Sequence, residues 1–298
     1  MKQVILRPRG ERPVRKKSQG RLWKGALVVI GATILTTLAI HASDSLKVSD
    51  SSLLAGVGGA APKLHCPSDM AYVPLSGGGF CIDKYEDSAG DHCMNADPNN
   101  QLESEVNFNN PLCTPTSQKG RRPWVNVAEH QALALCAKAG KRLPSNKEWY
   151  RAALGTPDVS TSDNNQACAL GRVGQSRADD TGAHDICVSS YGAYDMIGNV
   201  WEWVDESVTA GTYAGRTLPN EGYVSLADAD GVAVETVVSS EHSYANDYFY
   251  IDKTSVKGMF RGGFWALSDR AGIFSINAAI PESFVGVAAG FRCAKEAE

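Results

Sequence analysis

The longest apolar stretch of the chain lies near its beginning. Residues 25–43 contain no Asp, Glu, Lys or Arg, and as a helix they would rise about 28 Å, close to the thickness of a bilayer's hydrocarbon core. Residues 1–24 hold nine Lys and Arg against one acid, Glu11. Because basic flanks stay in the cytoplasm, we predict a basic cytoplasmic leader over 1–24 and a transmembrane helix over 25–43, with all that follows exported.

Two other interpretations of the apolar stretch stay open. Residues 40–42 (IHA) loosely resemble the small-residue site at which a signal peptide is cleaved. The stretch is also compatible with a buried core helix. The long basic leader favours the uncleaved signal anchor over both, which predicts a single-pass protein of the cell membrane with its C-terminal domain outside the cytoplasm.

Beyond the apolar stretch the pattern becomes that of a folded, loop-rich domain. Residues 44–64 are rich in Ser, Gly and Ala, as is typical of a flexible linker, so we expect the folded domain over 65–298. Residues 70–74 and 79–83 predict two short strands around a glycine turn, and the polar residues 86–122 predict a loop.

Two helices are indicated after this loop. Asn126 and Glu129 form an N-cap pair for the first, and Gly140 is typical of its end. Ser145 and Glu148 form a capping box for the second. The remaining chain is rich in glycine and polar residues with short apolar runs, so we predict an irregular, loop-rich α+β domain with two main helices.

Charge and cysteine content narrow the choice of partner and compartment. After residue 24 the chain holds 20 basic and 32 acidic side chains, a balance that argues against nucleic acid as a partner. All eight cysteines follow the apolar stretch, and an even number in an exported chain favours disulfides. Spacing alone leaves their pairing open.

Four motifs give the chain a family resemblance. They are residues 139–149 (AGKRLPSNKEW), 191–203 (YGAYDMIGNVWEW), 261–265 (RGGFW) and 290–293 (GFRC). In this order and at this spacing they resemble the formylglycine-generating, sulfatase-modifying enzyme family over about residues 66–295. The resemblance implies a C-type-lectin-like fold with small antiparallel sheets and two helices.

The resemblance also implies a calcium ion. Family members bind Ca²⁺ in the second motif, which here assigns the side chains of Asp195 and Glu202 and the carbonyls of Gly198 and Val200 as ligands. Calcium prefers such a mixture of carboxylate and main-chain oxygens. The alternative is that the two acids are capping or ion-paired groups beside core tryptophans.

Disulfide pairs follow in part from the same resemblance. Family members join the cysteine of the first helix to that of the last motif, which here pairs Cys136 with Cys293. Two further pairs are close in sequence, Cys168 with Cys187 and Cys66 with Cys81. Exclusion then leaves Cys93 with Cys113.

The catalytic residues of the family are missing. Its enzymes use two cysteines after the Arg-Gly-Gly motif to bind copper(I), and these positions fall on Leu267 and Gly272, which cannot ligate copper. The six histidines do not match the cluster of the related iron-dependent branch. We therefore expect no copper and a non-catalytic ligand-binding protein, with an oxidoreductase of the formylglycine-generating type, or another enzyme of the family, as the alternative.

Residues 264–289 are the predicted binding surface. They resemble the variable region of diversity-generating retroelement proteins, in which adenines of Asn codons are randomised and Lys, Gln, Glu, Met and Trp do not arise by that route. In this stretch only Trp265 and Glu282 belong to those five types. A fixed surface, or ordinary core and loop, remains the alternative.

Aromatic and small polar residues of this stretch are the candidate contacts with a protein or glycan ligand outside the cell. These candidates are Phe264, Trp265, Ala266, Leu267, Ser268, Asp269, Ser275, Asn277, Ser283 and Phe284.

Overall fold

The computed structural model describes residues 65–76, 78–158 and 167–298. They belong to one compact unit that spans residues 64–298. The predicted leader, transmembrane helix and linker lie outside the described residues. Within the described ranges, no helix is long and apolar enough to cross a membrane.

Both predicted helices are present, at nearly the predicted bounds. The second has the expected capping box, because the Ser145 hydroxyl accepts from the Glu148 N–H at 3.3 Å and the Glu148 carboxylate accepts from the Ser145 N–H at 2.9 Å. The first begins later than expected, with Ala128 rather than Asn126 as its N-cap residue. The helices are α1 (Gln101–Asn109), α2 (Glu129–Lys138) and α3 (Asn146–Ala153), with a short 3₁₀ turn at His242–Tyr244.

The prediction of a loop over residues 86–122 was wrong, because α1 lies within it. Asn100 caps this helix by accepting from the Glu103 N–H at 3.0 Å. Its buried face is polar, and Ser104 donates to the Val125 carbonyl at 2.7 Å while accepting from the indole N–H of Trp124 at 3.3 Å. The helix therefore docks through hydrogen bonds and has no apolar stripe for a hydrophobic pattern to reveal.

The described strands form three sheets. The strands are β1 (Met70–Leu75), β2 (Gly78–Asp83), β3 (Asp87–Ala89), β4 (Pro115–Ser117), β5 (Trp201–Thr209), β6 (Thr212–Tyr213), β7 (Arg216–Thr217), β8 (Gly222–Ala227), β9 (Ala233–Val237), β10 (Tyr248–Ile251), β11 (Val256–Arg261), β12 (Ile276–Ala278), β13 (Ala289–Gly290) and β14 (Ala294–Glu296).

One sheet has the order β1-β2-β14, and a second pairs β3 with β4. The third sheet has nine strands, in the order β7-β6-β5-β11-β12-β10-β8-β9 with β13 added beside β5. Small antiparallel sheets alone were expected, but the large sheet is mixed: β12 runs parallel to β10, and β13 parallel to β5.

The core lies on the faces of the large sheet. Trp149 of α3 packs in one cluster with residues of β5, β8 and β10, and Leu135 of α2 packs in a second with Trp203, Phe260 and Phe291. Because β5 and β11 pair along most of their length, they form the platform from which the 262–289 segment departs and to which it returns.

All four predicted disulfides are present, which confirms the pairing. Cys136 of α2 joins Cys293 just before β14, across a sequence separation of 157 residues. The other three bridges close separations of 15 to 20 residues. No cysteine is left free.

Candidate functional site

The Arg-Gly-Gly motif turns the chain from β11 into the predicted binding segment. Its two glycines have φ of +88° and +90°, a left-handed conformation that favours glycine. Arg261 is fully buried and donates to the carbonyl of Ile273 at 2.6 Å, with its guanidinium 4.9 Å from the ring of Trp149. Arg261 thus joins the two ends of the first loop of the segment, residues 261 and 273.

The ten predicted contact residues differ in exposure. Ser268, Ser283 and Phe284 are exposed. Partial burial is found for Phe264, Ala266, Leu267, Asp269 and Asn277. Trp265 and Ser275 are buried, with 3% and 0% of their surface exposed.

Trp265 and Ser275 are packed inside the domain. The Trp265 ring packs with Val125 and Val200, and its indole N–H donates to the Gln175 carbonyl at 3.0 Å. The Ser275 hydroxyl donates to the carbonyl of Arg270 at 2.9 Å. A sugar therefore cannot stack on Trp265 in this arrangement, because only 3% of the residue's surface is exposed.

Three of the predicted contact residues meet at a small pocket of about 290 Å³, termed the apolar pocket below. Phe264, Asn277 and Phe284 line it together with Trp201 of β5 and Phe260 of β11. The Trp201 and Phe264 rings lie 6.5 Å apart, and Phe260 meets Phe284 edge-on at 6.4 Å. The remaining lining residues are Ile280, Gly286, Val287, Ala288 and Ala289.

The residues predicted to bind calcium lie in the loop before β5 and at its start. Both carboxylate oxygens of Glu202 accept from the buried Arg292, at 2.6 and 2.7 Å, and one also accepts from the Trp149 indole at 2.7 Å. Glu202 therefore already accepts three hydrogen bonds on its two carboxylate oxygens, two of them from a cationic side chain.

Asp195, Gly198 and Val200 have protein partners as well, although at Gly198 and Val200 the bonds involve the N–H groups and not the carbonyls predicted to bind calcium. The Asp195 carboxylate accepts from the Gly182 N–H at 2.6 Å, and burial raises its pKa to about 6. Gly198 donates its N–H to the Gly262 carbonyl at 3.1 Å, and Val200 donates its N–H to a carboxylate oxygen of Glu86 at 3.2 Å. Calcium binding stays a prediction.

Glu86 is a member of this acidic group that sequence reasoning missed. It is fully buried, and its second oxygen accepts from the Asn199 side-chain amide at 2.6 Å. Burial and the nearby carboxylates of Asp195 and Glu202 raise its pKa well above the usual range. Glu86 lies more than a hundred residues before the motif, in a stretch predicted to be loop, so no local sequence signal places it here.

The family is decided by a match over most of the chain. The model of the sulfatase-modifying factor enzyme 1-like domain matches residues 71–297. The chain belongs to this family.

Known members of the family resemble the chain over a part of their length. An inactive C-alpha-formylglycine-generating enzyme 2 from Bos taurus is 30% identical over 120 residues, which cover 36% of this chain and 40% of that protein. A formylglycine-generating enzyme from Thermomonospora curvata is 32% identical over 103 residues, covering 29% of this chain and 34% of that enzyme. The chain thus spans less than half the length of these curated relatives.

A solved structure with a similar course of the chain is that of the Major Tropism Determinant P3c Variant. It aligns with 79% of this chain over 54% of its own length, at a TM-score of 0.42 and 17% sequence identity.

Leu267 and Gly272 are the two positions predicted from the family resemblance to correspond to the copper-binding cysteines. Leu267 is partly buried and donates its N–H to the Phe264 carbonyl at 3.0 Å. Gly272 is buried, and a Cβ at this position would lie 1.9 Å from a carboxylate oxygen of Asp247 and 2.6 Å from one of Asp158. A cysteine side chain therefore has no room at position 272 of this family member.

The carboxyl groups of Asp158 and Asp247 both lie beside Gly272, and Asp247 is fully buried whereas Asp158 is partly buried. Burial raises the pKa of Asp158 to about 7, and burial together with Asp158 raises the pKa of Asp247 well above its usual range. The N–H groups of Ile273 and Phe274 donate to the pair, at 3.2 and 2.6 Å. The pair thus fixes the course of the chain directly after Gly272.

Proposed function

We propose that this family member is a non-catalytic, membrane-anchored ligand-binding protein that displays residues 264–289 outside the cytoplasm. The observation that carries the proposal is the apolar pocket, which is built from this segment and from β5 and β11. Pockets lined by aromatic side chains with few polar groups are typical of binding sites.

The exposure of the pocket's rim supports a protein ligand. Phe284 and Val287 on the rim have 39% and 50% of their surface exposed, although both are apolar. Aromatic anchors of this kind carry much of the binding energy at protein interfaces. The burial of Trp265 removes the side chain best suited to stack a sugar, so a protein ligand is favoured over a bare glycan.

Ligand capture tests this function. Cells that display the full-length chain are incubated with candidate partner cells, and bound proteins are cross-linked and identified. Phe284→Asp should abolish capture of a specific partner, because a charge at the rim opposes burial of an apolar anchor. Leu102→Asp, at a more exposed apolar position on α1, should leave capture intact. Equal capture by both variants would refute the proposal.

The alternative is an oxidoreductase of the formylglycine-generating type, which the family membership favours. Incubation of the purified protein with a sulfatase-type cysteine peptide, copper(I) and oxygen distinguishes the two. Conversion of the cysteine to formylglycine would establish the enzyme. We expect none, because Leu267 and Gly272 offer no thiolate for copper.

Diversification of the segment is a proposal about the gene. A reverse-transcriptase gene nearby, with a near-repeat of the codons for residues 264–289 that differs at adenines alone, would establish it. A genome without such a repeat would make this a fixed binding surface.

Thermal unfolding of the protein tests the calcium prediction. If Asp195, Gly198, Val200 and Glu202 hold the ion as the family resemblance implies, added calcium should raise the melting temperature and a chelator should lower it. An unchanged melting temperature together with a negative metal analysis would show that the Glu202–Arg292 pair has replaced the ion.

A further inference from the structure

A second cavity lies next to the apolar pocket, and it is strongly acidic. This cleft of about 790 Å³ is lined by four acids, Glu129, Asp205, Glu206 and Glu282, and no Lys or Arg is among the described residues that line it. The other lining residues are His130, Leu133, Ser207, Tyr213, Ala214 and Ser283.

The acidic cleft and the apolar pocket share one short piece of chain. Glu282 and Ser283 line the cleft, and the next residue, Phe284, lines the pocket. The Glu282 carbonyl accepts from the N–H of Glu129 at 3.1 Å, which ties this piece of chain to the start of α2. One ligand that lies across residues 282–284 therefore reaches both cavities.

Glu129 has a buried carboxyl oxygen without a hydrogen-bond partner. Only 6% of its surface is exposed, and its Oε2 is buried without a hydrogen bond. A Cβ on Gly258 would lie 2.3 Å from this oxygen, so the carboxyl group packs directly on the backbone of β11. An unpartnered buried carboxyl costs free energy, and a cation delivered through the cleft would offset that cost.

The carboxylates around Glu129 indicate that the cleft lacks a positive charge. Burial, followed by the carboxylates of Glu282, Asp205 and Glu206, raises the pKa of Glu129 to about 8. His130 and Tyr213 line the same cleft. At neutral pH the free protein therefore holds a proton on Glu129, and a bound cation would displace it.

The arrangement of the acids favours an organic cation over a metal ion. Among the described residues, the sole group of three His, Cys, Asp or Glu with ligand atoms within 4.8 Å of one another lies elsewhere, at Asp87 and a disulfide. No three side-chain ligands of the cleft thus lie close enough together to bind one ion, whereas calcium takes six to eight oxygen ligands. A long Lys or Arg side chain can reach the inner carboxyl of Glu129 while passing the outer ones.

We propose that the ligand is a polypeptide that places an apolar side chain in the apolar pocket and a Lys or Arg side chain in the acidic cleft. This inference rests on the proposed function, because it specifies the partner of the same surface.

Paired peptides test the inference on the full-length protein in detergent micelles. The probes are fluorescent peptides that carry Phe and Arg separated by one to three residues, each matched to a peptide with neutral citrulline in place of Arg. The measurement is fluorescence anisotropy at low and high salt. Arg peptides should bind roughly tenfold more tightly than citrulline peptides, and the difference should shrink at high salt.

Variants assign the effect to the cleft. Glu282→Gln and Glu129→Gln should each weaken Arg peptides several-fold and leave citrulline peptides unchanged. Glu235→Gln, at an exposed acid of β9, should change neither. Melting curves confirm that each variant is folded.

The outcomes separate this inference from the proposed function. Equal binding of Arg and citrulline peptides that Phe284→Asp abolishes would overturn the basic ligand and keep the pocket. Arg-dependent binding that Phe284→Asp leaves intact would instead refute the apolar pocket. The inference would also be wrong if no peptide bound. It would be wrong as well if millimolar calcium displaced the Arg peptides from the unmodified protein but not from Glu129→Gln.

Discussion

Gly272 packs against two carboxyl groups that leave no room for a side chain. A Cβ there would overlap an oxygen of Asp247 at 1.9 Å. We expect Gly272→Ala to lower the free energy of unfolding by about 2–3 kcal/mol, because overpacking must displace the Asp158–Asp247 pair. Urea unfolding of the purified protein measures this loss.

Gly215→Ala is the matched control for this substitution. Gly215 has φ of +78° with nothing within 4 Å of an added Cβ, so its replacement costs backbone strain alone, about 1 kcal/mol. Equal losses for the two variants would mean that position 272 can hold a side chain. The steric argument against a catalytic cysteine would then fail.

Glu129 makes stability depend on pH in a definite direction. Its pKa is raised from 4.5 to about 8, so between these values the folded chain keeps a proton that the unfolded chain has lost. The contribution of this residue to the free energy of unfolding is present below pH 4.5 and falls as pH rises to about 8. Glu129→Gln should therefore gain stability over the unmodified protein across this window, by about 2 kcal/mol once solvent screening from the cleft is allowed for.

Chemical unfolding at several pH values measures this difference. Glu235→Gln, which removes an exposed acid from β9, should follow the unmodified protein at every pH. A Glu129→Gln difference that does not change with pH would mean that the carboxyl is not held protonated in the folded state.

Among the elements, α2 is fastened to the end of the chain by the Cys136–Cys293 bridge. This bridge closes a separation of 157 residues, against 15 for Cys66–Cys81. In the loop-entropy model the first contributes about 5 kcal/mol and the second about 3 kcal/mol, because a longer loop loses more freedom in the unfolded chain.

Replacement of each pair by alanine tests this order. The Cys136→Ala/Cys293→Ala double variant should unfold at a lower urea concentration than the Cys66→Ala/Cys81→Ala variant. The reverse order would show that packing around the short bridge at β2 outweighs loop closure.

How far the elements could be predicted depended on where their signals lie. The helix α3 was predictable because its capping box is local, with Ser145 and Glu148 three residues apart. The helix α1 was not, since its buried face is polar and Ser104 contacts Trp124 by a hydrogen bond. The parallel pairing of β13 with β5 joins distant parts of the chain, and no local pattern specifies it.

The candidate site shows the same division. The turn at Arg261 and the segment after it were recognisable from a short motif. The acidic cleft was not, because Glu129, Asp205 and Glu282 come from α2, β5 and the loop after β12. The burial of Trp265 was also missed, since an aromatic residue in a polar loop has the same sequence pattern whether it packs inward or faces a ligand.

For the whole molecule, the disulfides and the predicted anchor lead to one expectation about location. All eight cysteines are paired, and such bridges persist in oxidising compartments outside the cytoplasm. The full-length chain, produced in a bacterial host, should sediment with membranes, resist alkaline extraction, and show no thiol that reacts with maleimide before reduction. A chain that lacks residues 1–43 should remain in the cytoplasm and react at its cysteines, because nothing exports it to the oxidising side.

Recovery of the full-length chain as an exported but extractable protein of reduced mass would mean that the apolar stretch is a cleaved signal peptide. Reactive thiols in the full-length chain would instead show that the domain faces the cytoplasm, and the proposed extracytoplasmic ligand would be wrong.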